Sequence, residues 1–227
     1  MLNQEDLDRY FTNLVDSSSG IQDEERHLFL LYGNCDTYTK HIKLIIITDT
    51  HGGLREEEFA SFVYHHPDYD ACLFLGDHSV WEIPVILKYI DINKSYGILG
   101  NHDTYDYLSV NKIKNINGEV ININDTTLLG MQGSYKYKSA DFPAFTQKES
   151  LDFLINKPKV DILVTHDTKY VPNTNDIAHQ GLFGITYYLY KNKVPYHIHG
   201  HIHNPYRSTM LNGTQEISAY MYEYLEL

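Results

Sequence analysis

The chain has 227 residues, a formal net charge of −12 with its histidines neutral, and 42% hydrophobic residues. That length fits one large domain, or one domain with an extension, and the apolar share belongs to a globular chain rather than a disordered one. The acidity argues against broad, non-specific binding to nucleic acid or anionic membrane, although bound divalent metals would make a site locally positive without any Lys or Arg.

The first 40 residues are polar and irregular. A short amphipathic helix is expected within residues 5–15, with Leu7, Tyr10, Phe11 and Leu14 on one face, ended by Asp16-Ser17-Ser18-Ser19-Gly20. The run His27 to Tyr32 reads equally as a helix end or a strand. Residues 1–40 are thus expected to be an extension packing on a main domain of residues 41–227. The N-terminus lacks the basic and apolar regions of a signal peptide, and no apolar run reaches the length of a membrane span. The two cysteines, Cys35 and Cys72, suggest no disulfide framework, so a reducing, cytoplasmic setting is the default.

From Ile42 the pattern changes. Ile42 to Thr48 is a β-branched run that reads as a central parallel strand, ending in Asp49-Thr50-His51-Gly52-Gly53. A helix is expected over Arg55 to His66. A second strand over Asp70 to Leu75 ends in Gly76-Asp77-His78. A helix over Val80 to Asp91 follows, with Pro84 in its first turns. A third strand over Tyr96 to Leu99 ends in Gly100-Asn101-His102-Asp103. This alternation has the roughly 30-residue period of βαβ units. Strands in such units run parallel, so their carboxyl ends share one edge, where open α/β sheets bind ligands.

Glu119 to Gly130 reads as a hairpin turning at Asn124-Asp125. Residues 133–143 form a loop whose aromatics Tyr135, Tyr137 and Phe142, with Phe145 just beyond, are expected to pack rather than line a cleft. A helix over Thr146 to Asn156 carries a capping box, Thr146 with Glu149. Val160 to Val164 is another apolar strand, ending in Thr165-His166-Asp167. A long loop over residues 168–176 follows, of the kind that covers sites. Gln180 to Lys193 is a Tyr-rich helix. Val194 to His199 then leads into Gly200-His201-Ile202-His203, where strand alternation would aim both histidines the same way. Two or three antiparallel strands with an Asn212-Gly213 turn close the chain.

Each strand-end group by itself is as consistent with an ordinary turn. Together they offer oxygen from Asp49, Asp77 and Asn101, and imidazole nitrogen from His51, His166, His201 and His203. That mixture suits Zn, Fe, Mn, Ni or Co rather than Ca or Mg alone. The count exceeds one ion's needs and suits two, as in two-metal phosphatases and nucleases.

Asp49-x-His51, Gly76-Asp77, Gly100-Asn101-His102-Asp103, Thr165-His166 and Gly200-His201-x-His203, in this order, resemble the five motif blocks of the calcineurin-like metallophosphoesterase superfamily, its small bacterial and phage-type members in particular. The resemblance spans residues 42–218. It implies an α/β fold, a four-layer α/β/β/α sandwich with a dinuclear metal site at the sheet edge. By motif position Asp49, His51 and His203 would hold one metal, Asn101, His166 and His201 the other, and Asp77 would bridge them. The cofactors would be two divalent transition-metal ions, with manganese the leading candidate. His102 would stand beside the substrate phosphate and Asp103 would orient its ring, making these two the catalytic pair.

The implied activity is hydrolysis of P–O bonds in a small phosphorylated substrate, a phosphodiester or a small phosphomonoester, by a hydroxide held between the metals. Two departures narrow it. No Arg follows Gly76-Asp77, where protein Ser/Thr phosphatases resembling calcineurin carry an Arg-Gly to clamp phosphate. Asp167-Thr168-Lys169 stands where many relatives have Pro or Gly. The alternatives are a nuclease of the same superfamily, disfavoured by the acidity, and a non-catalytic metal-binding scaffold resembling a retromer subunit. Neither a nucleic-acid partner nor a membrane is expected.

Overall fold

A computed structural model describes residues 24–103, 106–139, 142–172 and 174–227. The helix expected within residues 5–15 lies outside them. The run left open between helix and strand is helical: α1 is Glu24–Tyr32. β1 (Lys43–Thr48), α2 (Glu56–His65), β2 (Ala71–Phe74), α3 (Glu82–Ile86) and β3 (Ser95–Gly97) follow in the expected alternation. Then come α4 (Tyr107–Val110), β4 (Lys114–Asn115), and a hairpin of β5 (Val120–Ile123) and β6 (Thr126–Met131). Both turn residues of that hairpin, Asn124 and Asp125, have positive φ, the geometry that matches strand twist. A short pair, β7 (Ser134–Tyr135) and β8 (Ala144–Phe145), interrupts the expected loop. α5 (Gln147–Leu154) opens on the full Thr146/Glu149 capping box. β9 (Ile162–Thr165), α6 (Phe183–Lys191), β10 (Tyr196–His199), β11 (Tyr206–Thr209), β12 (Gln215–Ser218) and β13 (Met221–Glu226) complete the chain.

The strands form two larger sheets. One has the order β13-β1-β2-β3-β4, the other β11-β12-β10-β9-β6-β5. β1, β2, β3 and β4 run parallel, as do β12, β10, β9 and β6. The last three strands differ from a simple antiparallel run. β11 and β12 form an antiparallel pair in one sheet, while β13 leaves it to pair antiparallel with β1 in the other.

Period-2 alternation explains the layers. Leu44 and Ile46 of β1, with Leu73 of β2, meet Ile162, Val164, Ile198 and Ile217 between the sheets. The intervening Ile45 and Ile47, with Cys72 and Phe74, face Phe59 of α2 and Ile83 and Ile86 of α3. On the far side Leu129 and Leu163 pack against Leu151 and Leu154 of α5, Leu28 of α1, and the Tyr-rich α6. Three apolar interfaces therefore separate four layers, α/β/β/α. Leu44 to Ile47 are fully buried, each worth about 1.5–3 kcal/mol. Truncation of Ile46 to Ala would cost about 2–5 kcal/mol.

One expected helix is shorter than its pattern suggests. The helix expected over Val80 to Asp91 is α-helical only over α3. Beyond it Lys88 and Tyr89 donate to carbonyls three residues back, a tightened turn that still buries Ile90. Of the loop aromatics, Tyr135 and Phe145 pack on the core, and Phe145 lies against Phe153. Between α1 and β1 the chain crosses the same body: Cys35 donates to Asn212 and Asp36 to Lys193 through their backbones. Cys35 and Cys72 are free thiols. No helix among the described residues is long and apolar enough to cross a membrane.

Candidate metal centre

Parallel pairing brings the carboxyl ends of β1, β2 and β3 to one edge, and those of β9 and β10 to the same edge from the other sheet. The Gly200 amide donates to the His166 carbonyl, and the His201 amide donates to Asp49 Oδ2 at 2.8 Å, which joins the loops of the two sheets. Asp49, His51 and His203 cluster with one ligand atom each within 4.8 Å of the others, and so do Asp77, His166 and His201. Asn101 joins the second group, its Oδ1 2.9 Å from His166 Nε2.

Asp77 stands between the groups. Its Oδ1 accepts from the His102 amide at 2.7 Å. Its Oδ2 is buried without a hydrogen-bond partner, 3.7 Å from His51 Nε2 and 3.5 Å from His166 Nε2. Asp49 Oδ1 is likewise buried and unpartnered, 3.3 Å from His203 Nε2. Such orphaned carboxylate oxygens are costly unless something else satisfies them.

The histidine geometry points the same way. His166 Nδ1 faces the Leu75 carbonyl at 2.7 Å, so it carries the proton and leaves Nε2 as the lone-pair nitrogen. That nitrogen faces the oxygens of Asn101 and Asp77. Several lone pairs aimed at one space fit a cation. Without a metal, a proton takes its place. Burial pulls the His166 pKa down, but Asp77, by charge and contact, and Asp49 more than offset it, pushing it up to about 10. Burial raises Asp77 and Asp49, yet His166, with His203 for Asp49, holds both carboxyls below the usual range. His201 is lowered by burial, whereas Asp49 raises His203. The donor set of imidazoles, carboxylates and one amide oxygen matches borderline divalent metals.

The backbone is strained here. Asp49, His51, Asp77, His201 and His203 all have φ between 44° and 67°. Left-handed non-Gly residues cost about 1–3 kcal/mol each and persist only where surrounding structure fixes them. This corrects one expectation. His201 and His203 lie beyond the end of β10, in a bend, and their rings serve different groups. Two glycines permit close approach. A Cβ on Gly100 would lie 2.1 Å from Asp77 Oδ1, and one on Gly200 would lie 2.1 Å from Thr48 Oγ1 and 2.4 Å from Asp49 Oδ2.

His102 is exposed on the open side, its ring edge-on to His51 with centroids 5.4 Å apart. Asp103 differs from its expected part. Its Oδ2 accepts from the amides of Asp77 and Gly100 and its Oδ1 from that of His78, so the carboxylate holds two ligand loops together. The His102 ring is not among its hydrogen-bond partners.

Sequence reasoning missed Glu82. This fully buried carboxylate accepts from the Thr50 hydroxyl and from the amides of Gly52, Leu54 and Ser79, at 2.7–3.0 Å. It folds the loop that presents Asp49 and His51. Three of its partners lie some 30 positions upstream, and only the Ser79-x-x-Glu82 spacing, a capping-type pattern, is a local signal for it. The His179 ring lies beside that of His201, tilted by 52° with centroids 4.7 Å apart. Trp81, 57% exposed, lies against Gly52 at the mouth of the site.

Residues 42–205 match the family described as calcineurin-like phosphoesterase. No curated protein matches the chain. Solved structures share the fold. The protein TT1561 of Thermus thermophilus has TM-score 0.54 and 13% identity, covering 80% of this chain and 90% of that one. The phosphopantetheinyl hydrolase of Mycobacterium tuberculosis has TM-score 0.52 and 14% identity, covering 78% and 89%. A putative 5′-nucleotidase from Staphylococcus aureus, solved with α-ketoglutarate, has TM-score 0.53 and 12% identity, covering 82% of this chain but only 51% of that one.

Proposed function

The chain belongs to the calcineurin-like phosphoesterase family, whose members are phosphoester hydrolases that use divalent metal ions. On that premise we propose that it hydrolyses small phosphodiesters or phosphomonoesters with two divalent transition metals, manganese foremost. Asp49, His51 and His203 would hold one ion; Asn101, His166 and His201 would hold the other. The observation that carries this reading is the unpartnered Asp77 Oδ2 between His51 and His166, the place of a shared ligand.

When bound, such ions generate a nucleophile from water at neutral pH and draw charge from phosphoryl oxygens. The chain's own residues do the rest. His102, exposed and edge-on to His51, can reach a phosphoryl group in the cleft and donate a proton to the leaving oxygen. Asp103 acts as a positioning residue by clamping the Asp77 and Gly100 amides. Asp77 Oδ1 fixes the His102 backbone. Glu82 holds the His51 loop in its strained form. His179 and Trp81 flank the cleft and could meet a leaving group.

Absence of an Arg after Asp77 and the structural likeness to enzymes named as acting on nucleotides or a phosphopantetheinyl group support a small substrate. The unpaired thiols fit a cytoplasmic setting. The test is turnover of bis(p-nitrophenyl) phosphate against p-nitrophenyl phosphate by metal-free protein reloaded with Mn, Ni, Fe or Zn. Metal-dependent hydrolysis of either ester is expected. Full metal loading with no turnover of either would replace this reading by a binding scaffold.

A further inference from the structure

On the other face of β10 lies a second set of ligand-type side chains. His197, His199 and Glu216 are 0%, 0% and 2% exposed, and one ligand atom from each lies within 4.8 Å of the others. Parallel pairing sets His197 beside Glu216, and the alternate positions, Ile198 and Ile217, enter the core between the sheets. The three side chains therefore point to the helix-covered face, away from that core.

Their proton assignments follow from their neighbours. His199 Nδ1 is 2.9 Å from the Gly200 carbonyl and must donate to it, which leaves the lone pair on Nε2. The Thr165 hydroxyl spends its one proton on the Asp167 carbonyl, so it accepts from His197 Nε2 at 2.8 Å. The lone pair of neutral His197 is then on Nδ1, which is buried without a hydrogen-bond partner. Both lone-pair nitrogens face the same oxygen, Glu216 Oε1, each at 3.8 Å. That is too far for a hydrogen bond. It is near the separation of two ligands that each stand about 2.0–2.2 Å from one metal ion. Glu216 Oε1 also accepts from the Thr168 hydroxyl at 3.3 Å, which leaves it a second lone pair, and Oε2 is fixed by the Ser208 hydroxyl at 2.8 Å. The Tyr206 hydroxyl donates to His199 Nε2 at 3.2 Å, a bond that an ion would replace, and its oxygen is within reach of a fourth position.

We propose that His197, His199 and Glu216 form a third, mononuclear site for a divalent transition metal of the zinc class, separate from the dinuclear centre and structural in role. Two imidazoles, each oriented through its other nitrogen by a main-chain carbonyl or a threonine, plus one carboxylate, make a donor set that zinc favours. Closure from solvent suits a structural ion. The ion would tie β10 to β12 directly beneath the Gly200-His203 loop and so steady the strand that presents His201 and His203.

The test is metal stoichiometry. Full-length protein is stripped with chelator, reloaded with Zn2+, freed of excess ion, and its zinc measured by mass spectrometry per mole of chain. Wild type should hold three ions and Glu216→Gln two. Asp77→Asn combined with His166→Asn disables the dinuclear centre and should leave one ion. Cobalt in that double variant should give the visible absorption of a tetrahedral site. A folded double variant that holds no ion overturns the proposal. So does Glu216→Gln holding as many ions as wild type. If the double variant fails to fold, the difference between the wild-type and Glu216→Gln counts still decides, one ion supporting the site and none overturning it. Loss of activity alone is no part of the readout, so a failed phosphoesterase assignment would leave this site standing.

Discussion

Asp77 Oδ2 and His166 Nε2, both buried, face each other across 3.5 Å, and Asn101 Oδ1 stands 2.9 Å from the same nitrogen. Their separation marks a place for a cation that, in its absence, a proton on His166 fills. Metal and proton therefore compete for one site.

A pH dependence follows. The pKa of His166 rises from its ordinary 6.5 to about 10 in the folded, metal-free protein. The stability from that proton is fully present below pH 6.5 and is lost as pH rises through about 10. Metal-free protein should thus melt at progressively lower temperature across that window, and metal-loaded protein should not. Metal affinity should rise with pH between 6 and 9, by roughly tenfold per unit for the one proton displaced. Calorimetric titration with Mn2+ in buffers of different ionisation enthalpy would detect the released proton. An affinity flat across this range would contradict the shared site.

His102 and Asn101 are neighbours with separate tasks, so their variants should differ. His102→Ala should keep full metal content and lose about 10²- to 10⁴-fold in turnover, the span of general acid catalysis. Asn101→Ala should lose metal from the His166 group first. Elemental analysis beside the ester assay separates the two, and a metal-replete His102→Ala variant with wild-type turnover would remove His102 from the mechanism.

Glu82→Gln should weaken the centre without touching it. The amide replaces an oxygen with a donor where four donors already converge. A loss of about 2 kcal/mol or more is expected, since hydrogen bonds to a buried charge are worth about 1.5–3 kcal/mol each. Metal affinity should fall about 10- to 100-fold, as for other groups that orient ligands. Denaturant unfolding and metal titration would measure both. Unchanged affinity in a destabilised protein would mean that Glu82 serves stability alone.

Gly200→Ala should be far worse than an ordinary loop substitution. Its Cβ would stand 2.4 Å from Asp49 Oδ2, and overpacking of this kind costs about 1–3 kcal/mol. Displacing Asp49 should also lower occupancy at the Asp49-His51-His203 group. A crystal structure of the variant with Asp49 unmoved and metal in place would refute that account.

Which residues gather was readable from the chain because each apolar strand run stops at its ligand. Asp49, Asp77 and His166 follow β1, β2 and β9 immediately or within three residues, and parallel strands carry their ends to one edge. The capping box at Thr146 and the Asn124-Asp125 turn were local and equally readable. How the ligands are held was not. Glu82 bonds to a loop 30 positions away, and Asp103 clamps amides of the β2 loop across a 25-residue gap. His201 and His203 looked like strand neighbours, but left-handed backbone at both turns their rings toward different partners.

The sequence by itself determined the ligand inventory, its order along the chain and the parallel α/β framework, because these rest on local periodicity and on where apolar runs end. Only the tertiary structure decided that β13 crosses to pair with β1 while β12 stays beside β10, and that His197, His199 and Glu216 converge on a face of their own. Strand partners are chosen by burial of whole faces between layers, and the contacts that result join residues with no signature in their local sequence.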